Sequence, residues 1–597
     1  MRLKKIFFLL LSCGLSAQTS FNYQRSWATY FGAINTGIIG VYEDSSSNIF
    51  VDAVTGSPNP GIGTPPVSYY NQFITAGSPS YTGSYSVPNN FSGKFTTSGN
   101  LISSEYSPYT TSISSAKHPY FRDRNGNIYE FQINLTANPT LASGTWLSNQ
   151  TDSSNIILTK YGVNNTIMWQ TYLPGNDSFN NLEVDNDGNI YVAGSTKWQN
   201  LADPGTFQPT FSMVYDAAGA SLPNTYIVKL NPQGQKIWAT YTPSSILGGI
   251  TTFGDKVYIY GNNDLKPTGA DLSTSGTFQL AKAGQFIAEI NANTGQRNWG
   301  TYYGTPGNTL EAGISDIKAD ETGIYITGAT FGAPGNYYAT EGAYKPQSID
   351  ADMFITKFNH SGGRVWSTYI GTDGYDSFSG DRGLDIKNGK LLFTGLSYSD
   401  QNISTPSAYI PIKPNPNSED FFFGILNTST GFPDFVSYYG GSGPALYAAS
   451  VQCSFSKDSD GFFLYGSTQR TAGYSSANGH QPNIIYPVGI TTGNSGFIAK
   501  FGPKFLSTSE ADLSAELMLY DNPNKGNFSL KGSVLNKEPH IITINDMSGK
   551  LIYSKNIQKN HEEYFNLETQ LTNGNYIISI TKNDKTLVKT FKLTVRK

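Results

Sequence analysis

A two-part motif recurs along most of this chain, and any fold must house it as a repeated unit. One half is an aromatic box that ends an apolar-alternating stretch: Trp27-Ala28-Thr29-Tyr30, Trp169-Gln170-Thr171-Tyr172, Trp238-Ala239-Thr240-Tyr241, Trp299-Gly300-Thr301-Tyr302 and Trp366-Ser367-Thr368-Tyr369. Degenerate copies end at Tyr106 and Tyr438. The other half is a turn followed by a strand, clearest in Asp187-Gly188-Asn189-Ile190-Tyr191-Val192-Ala193-Gly194, with relatives near Asn48, Gly126, Asp255, Gly323, Gly389 and Gly461. The box tyrosines fall at 30, 106, 172, 241, 302, 369 and 438, spaced by 76, 66, 69, 61, 67 and 69 residues. That period is too long for a β-helix rung and suits a four-stranded antiparallel blade with long loops. Composition agrees: Gly 62, Tyr 39 and Phe 35 stand beside 14% charged residues, the balance of short strands and tight turns.

The ends of the repeat sharpen the expectation. The last unit, Gly461 to Pro503, lacks its own Trp-x-Thr-Tyr strand, and the chain opens with an unpaired one at Trp27 to Phe31. Ring closure resolves both, giving a monomeric all-β seven-bladed propeller of about 28 strands over 18–505. Trp27, Thr29 and Tyr30 would be its closing residues. The Trp-x-Thr-Tyr-x-Gly and Asp-x-x-Gly-Asn-Ile-Tyr-Val-x-Gly boxes resemble the SBBP-type β-propeller repeats of bacterial secreted proteins. The resemblance runs over roughly 27–505 and is poorest between Ser57 and Thr151.

The termini read as addresses. Arg2, Lys4 and Lys5 precede the apolar Ile6–Leu11 and a run of small residues, the pattern of a signal peptide over 1–17 cleaved between Ala17 and Gln18. A competing reading takes Leu10-Leu11-Ser12-Cys13 as a lipobox. The first apolar run is too short to span a bilayer, and no later one is long enough. Beyond a polar linker at 506–516, residues 517–597 couple period-2 strands to Asn/Asp/Gly turns, as expected of a small Ig-like β-sandwich. Three boxes stand in order there: Tyr520-Asp521-Asn522-Pro523 with Gly526, Gly549-Lys550, and Gly574 with Tyr576, before a basic C-terminus. They resemble the type A C-terminal sorting domain of the type IX secretion system of Bacteroidota, with Asp521 standing where that family usually has proline. The resemblance implies export through the type IX machinery as partner, and release or attachment at the outer-membrane surface.

Chemistry is sparse. A net charge of −4 offers no polycation, which disfavours nucleic acid as a partner. Cys453 lies in an apolar-alternating stretch and reads as a buried structural thiol. The five histidines show no paired spacing, so no zinc site is expected, and calcium is the one cofactor left open. Asp185-Asn186-Asp187-Gly188-Asn189 superficially resembles the start of a calcium loop, but lacks the later bidentate carboxylate and reads as a turn. Asp373, Asp376, Asp381 and Asp385 sit among Gly and Ser and read as solvated turns. Trp146 and Trp198 fall outside the box and are the two candidates for stacking on a ligand. The leading expectation is a secreted or surface-attached binding protein whose partner is a glycan or a surface or matrix protein. A polysaccharide hydrolase or lyase with carboxylates at the propeller mouth, and a structural surface-layer component, are the alternatives.

Overall fold

In the computed structural model, residues 21–504 and 517–597 are described apart from loop segments within them, of which 57–64, 107–119 and 263–270 are the longest. The signal peptide, its cleavage site and Cys13 therefore lie outside the described residues. The chain divides into two compact units, Met1–Pro503 and Lys504–Lys597. Both are nearly all β.

Strands of the first unit pair into seven antiparallel sheets of four or five strands, beside one small two-stranded ribbon. Sheet one runs from Thr36–Glu43 to Leu101–Tyr106, sheet two from Tyr120–Arg122 to Ile167–Tyr172, and sheet three from Phe179–Val184 to Lys236–Thr242. Sheet four runs from Ile246–Phe253 to Arg297–Tyr303, sheet five from Ala312–Asp320 to Arg364–Ile370, and sheet six from Asp376–Ser377 to Pro433–Tyr439. Sheet seven holds Ala448–Phe455, Phe462–Thr468 and Ser495–Pro503, and its fourth strand is Tyr23–Phe31 from the other end of the unit. In that pairing Tyr30 faces Phe497 and Ala28 faces Ala499.

In five of the seven sheets a Trp-x-Thr-Tyr box forms the last strand and binds it to the next sheet. The indole Nε1 donates to a turn carbonyl of the following sheet: Trp27 to Thr97 (3.0 Å), Trp169 to Pro232 (2.9 Å), Trp238 to Ala292 (2.9 Å), Trp299 to His360 (2.9 Å) and Trp366 to Thr428 (3.0 Å). Each ring lies over a glycine of that turn. At Gly295, with φ +71°, an added Cβ would stand 2.9 Å from the Trp238 ring, so both backbone and space demand glycine. The box threonine and tyrosine instead catch the sheet's own long loop. Thr301 Oγ1 accepts from Gln279 N–H and Tyr302 N–H donates to Gln279 O; Thr240 and Tyr241 treat Gln208 alike, as Thr368 and Tyr369 do Lys345. Backbone groups of an edge strand that would otherwise stay open are thereby covered.

Two boundaries lack the tryptophan. Between sheets one and two, where Ser103 replaces it, Arg122 forms a two-pronged pair with Asp52 (3.0 and 3.2 Å), and Asn90 donates to the buried Glu130 at 2.6 Å. Between sheets six and seven, Phe435 takes its place in an aromatic cluster with Phe21, Tyr23 and Phe423. Lys390 Nζ reaches the Tyr23 hydroxyl there at 3.1 Å.

The second unit has two sheets. One holds Leu517–Tyr520, Asn527–Gly532 and Glu562–Asn566; the other holds Leu551–Ile557, His540–Asp546, Gly574–Lys582 and Leu587–Val595. Phe528, Leu530, Ile542, Ile544, Ile578 and Leu593 are fully buried between them. Tyr576 OH bonds back to Thr572 O at 3.0 Å, the contact that defines a tyrosine corner in immunoglobulin-type sandwiches.

Candidate functional site

One cavity of about 280 Å³ takes lining residues from all seven sheets: Tyr42, Phe121, Glu183, Ile250, Asp316 with Lys318, Asp385 on Leu384–Lys387 of sheet six, and Cys453. Among the polar residues this chamber gathers are three carboxylates, Glu183, Asp316 and Asp385, and two cations, Lys318 and Arg382.

Two of the carboxylates each accept two backbone N–H bonds, one on each oxygen. Asp316 accepts from Leu384 N (3.0 Å) and Ile317 N (2.8 Å); Asp385 accepts from Phe455 N (2.6 Å) and Ile386 N (2.9 Å). Each of these pairs ties one sheet to the next. Arg382, at φ +74°, donates to Ile39 O (3.3 Å) and Tyr42 OH (3.2 Å) and lies 5.6 Å from the Phe121 ring centroid. Glu183 and Lys318 carry no hydrogen bond or ion pair among the described residues, and they interact through space. Burial pushes the Glu183 carboxyl up, against the opposing pull of Lys318 and Arg382. Lys318 is also raised: burial alone would lower it, but Asp316, Glu183 and Asp385 together outweigh that effect. Burial raises Asp385 as well, so the chamber holds two acids shifted toward the protonated form beside an amine that its acidic neighbours keep protonated.

A second cavity, of about 710 Å³, shares Val41 and Tyr42 with the chamber. Its lining also includes Glu43, Arg122, Arg124 and Lys457.

The residues singled out by sequence scatter. Trp146 and Trp198 are half-buried and pack against the core of sheets two and three, and neither lines the chamber. Trp146 N–H donates to Gly234 O, and Trp198 O accepts from Tyr241 OH. Among the described residues Asp373, Asp376 and Asp385 form no shared cluster, and the last two correct the reading as solvated turns. Asp376 is fully buried, bonded to Ser399 Oγ at 2.6 Å and Thr372 N at 2.7 Å, and Asp385 lines the chamber. Their Gly/Ser surroundings looked wet because the strands that cover them are distant in sequence. Asp373 touches only the loop at Gln401, and Asp381 lies outside the described residues. Asp185 spends its carboxylate inside its own turn, on Asp187 N, Asn189 and Tyr191 OH. Among the described residues no three or more His, Cys, Asp or Glu side chains come together as ligands able to hold a metal ion. Cys453 is 3% exposed; its Sγ donates to Gly383 O at 3.5 Å, and burial raises the thiol well above its ordinary range, the mark of an inert structural cysteine.

In the C-terminal unit the boxes build turns against the last strand. Tyr520 ends its strand and Asp521 takes φ +64°. Asn522 receives Thr594 N–H at 2.8 Å and donates to Lys592 O at 2.7 Å. Gly526 has φ +112°, and a Cβ there would sit 2.6 Å from Glu568 Cα. Gly549 and Lys550 close a turn on Asp546, and Gly574 opens the strand that carries Tyr576.

These turns belong to a recognisable module: residues 518–594 match the secretion system C-terminal sorting domain. The protein is accordingly a secreted or cell-surface one, exported by the type IX system. No helix among the described residues is long and apolar enough to cross a membrane. No curated protein matches the chain. Solved structures similar to it include a fungal alcohol oxidase of the AA5 family in complex with copper, at 11% identity over 96% of this chain and 100% of that one, with a TM-score of 0.31. PorZ, an essential bacterial surface component of the type-IX secretion system of Porphyromonas gingivalis, is 11% identical over 94% and 70%, with a TM-score of 0.25. The endosialidase of phage phi92 is 9% identical over 82% and 71%, with a TM-score of 0.33. All three scores are too low for shared chemistry to follow.

Proposed function

We propose that this protein is a secreted or cell-surface saccharide-binding protein, with its seven sheets arranged as propeller blades around the chamber and closed by Tyr23–Phe31. The supporting observation is the chamber lining: one strand from each sheet faces a single cavity. Its volume lies just below the roughly 300 Å³ at which small-ligand sites begin, which suits one sugar ring rather than an extended chain. Glu183 and Lys318 offer an acceptor and a donor not already spent on the protein, as recognition of sugar hydroxyls requires. Binding is favoured over hydrolysis because Asp316 and Asp385 are held by backbone N–H groups. A hydrolytic site of the two-carboxylate kind needs a second free carboxylate beside Glu183.

Calorimetric titration of the purified protein with a panel of neutral oligosaccharides tests this reading. At least one should bind, and Glu183→Gln or Lys318→Met should weaken it by about tenfold or more, the worth of a hydrogen bond to a charged group. A panel that fails to bind but is turned over would favour the hydrolase instead.

A further inference from the structure

The larger cavity has an unusual charge economy. Its three acids are engaged inside the protein. Glu43 is held by Lys500, Ser456 and Lys457 N; Asp44 by Ser46, Asn48 and Lys94; Asp123 by Asn125, Asn127 and Tyr129. Two of its four cations are spent as well, Arg122 on Asp52 and Lys94 on Asp44, and both also lie over the Phe50 ring. The other two, Arg124 and Lys457, are exposed, and among the described residues neither side chain has a hydrogen bond or ion pair. They enter from sheet two and sheet seven, on either side of sheet one. Val163, 71% exposed, adds an apolar wall beside them.

We infer that this vestibule is a subsite for the anionic group of an acidic oligosaccharide, held by Arg124 and Lys457, while an adjoining sugar ring enters the chamber past Tyr42. The inference rests on the saccharide reading of the chamber and adds the charge class of the ligand. Arg124 feels Glu183 through space, but neither cation's side chain makes a hydrogen bond or ion pair among the described residues, so an anion gains their field and displaces no existing bond. The shared Val41 and Tyr42 make the two cavities neighbouring subsites rather than separate sites. Carboxylate and sulfate supply the same anionic oxygens, and the probes separate them.

The test titrates the full chain with hexagalacturonate, a sulfated oligosaccharide and a neutral hexasaccharide, at low and high salt. One acidic probe should bind about tenfold or more tighter than the neutral one, with the preference fading as salt screens the exposed cations. Arg124→Gln with Lys457→Gln should abolish the preference and leave the neutral affinity unchanged. A neutral probe that binds as tightly as the acidic ones, or a preference that survives the double variant, overturns the acidic subsite and leaves the chamber reading standing. Acidic binding lost in the double variant but indifferent to Glu183→Gln overturns the chamber reading alone. No binding of any probe overturns both.

Discussion

Five boundaries between sheets are locked by an indole that bonds a turn of the next sheet, and two are not. At the locked boundaries one residue does two jobs: its ring fills the space over a glycine and its N–H satisfies a carbonyl. Where sheet one meets sheet two the jobs are divided, and charged and amide groups carry the contact through Arg122–Asp52 and Asn90–Glu130. Where sheet six meets sheet seven, Phe435 keeps the ring and loses the N–H, and Lys390 bonds Tyr23 instead. The same geometry is thus met by three chemistries that differ in their response to pH and truncation. The polar boundary is the one most open to titration, because it buries ionisable groups with little apolar area to compensate.

The contrast can be broken from either side. The largest effect belongs to a locked boundary: Trp366→Ala should cost about 3–5 kcal/mol in denaturant unfolding, and Trp366→Phe only about 1–2, since the ring stays and one bond is lost. An intermediate effect belongs to the polar boundary. Burial raises the Glu130 carboxyl to about 7, above the level its Gln132, Tyr161 and Asn90 donors alone would set. A carboxyl raised in the folded state contributes stability below its unfolded value and loses it as pH climbs through about 7. Melting followed from pH 4 to 8 should therefore show a decline on the order of 3 kcal/mol that Glu130→Gln removes. A wild-type profile as flat as that of Glu130→Gln would mean that Glu130 is not buried against sheet one. The smallest effect lies within one sheet: Thr301→Val, which strands Gln279 N–H, should cost about 1 kcal/mol.

What the sequence made legible follows the range of the interactions. The strand spacing and the four-strand unit are local, so the repeat displays them. The sorting module is legible in part for the same reason, since Gly526 and Gly549 take positive-φ turn conformations, whereas Asn522 bonds the distant last strand at Lys592 and Thr594. The two degenerate boxes mark the two boundaries with different chemistry, yet nothing nearby in sequence names Arg122 or Lys390 as the substitutes. Of the chamber, the sequence offered only the alternative of carboxylates at a propeller mouth and, among its candidate aspartates, Asp385. Glu183, Lys318 and Asp385 come from three different sheets, and no spacing rule links residues that meet only when the sheets are assembled. Trp146 and Trp198 stood out as unassigned aromatics, while the uncommitted groups proved to be an acid and an amine inside ordinary strands.

A crystal structure of the protein soaked with the tightest-binding oligosaccharide tests most directly whether strands of the seven sheets line one saccharide site. A sugar ring in the chamber within hydrogen-bond reach of Glu183 and Lys318 is the predicted result. A ligand bound elsewhere, with the chamber unchanged, would contradict it.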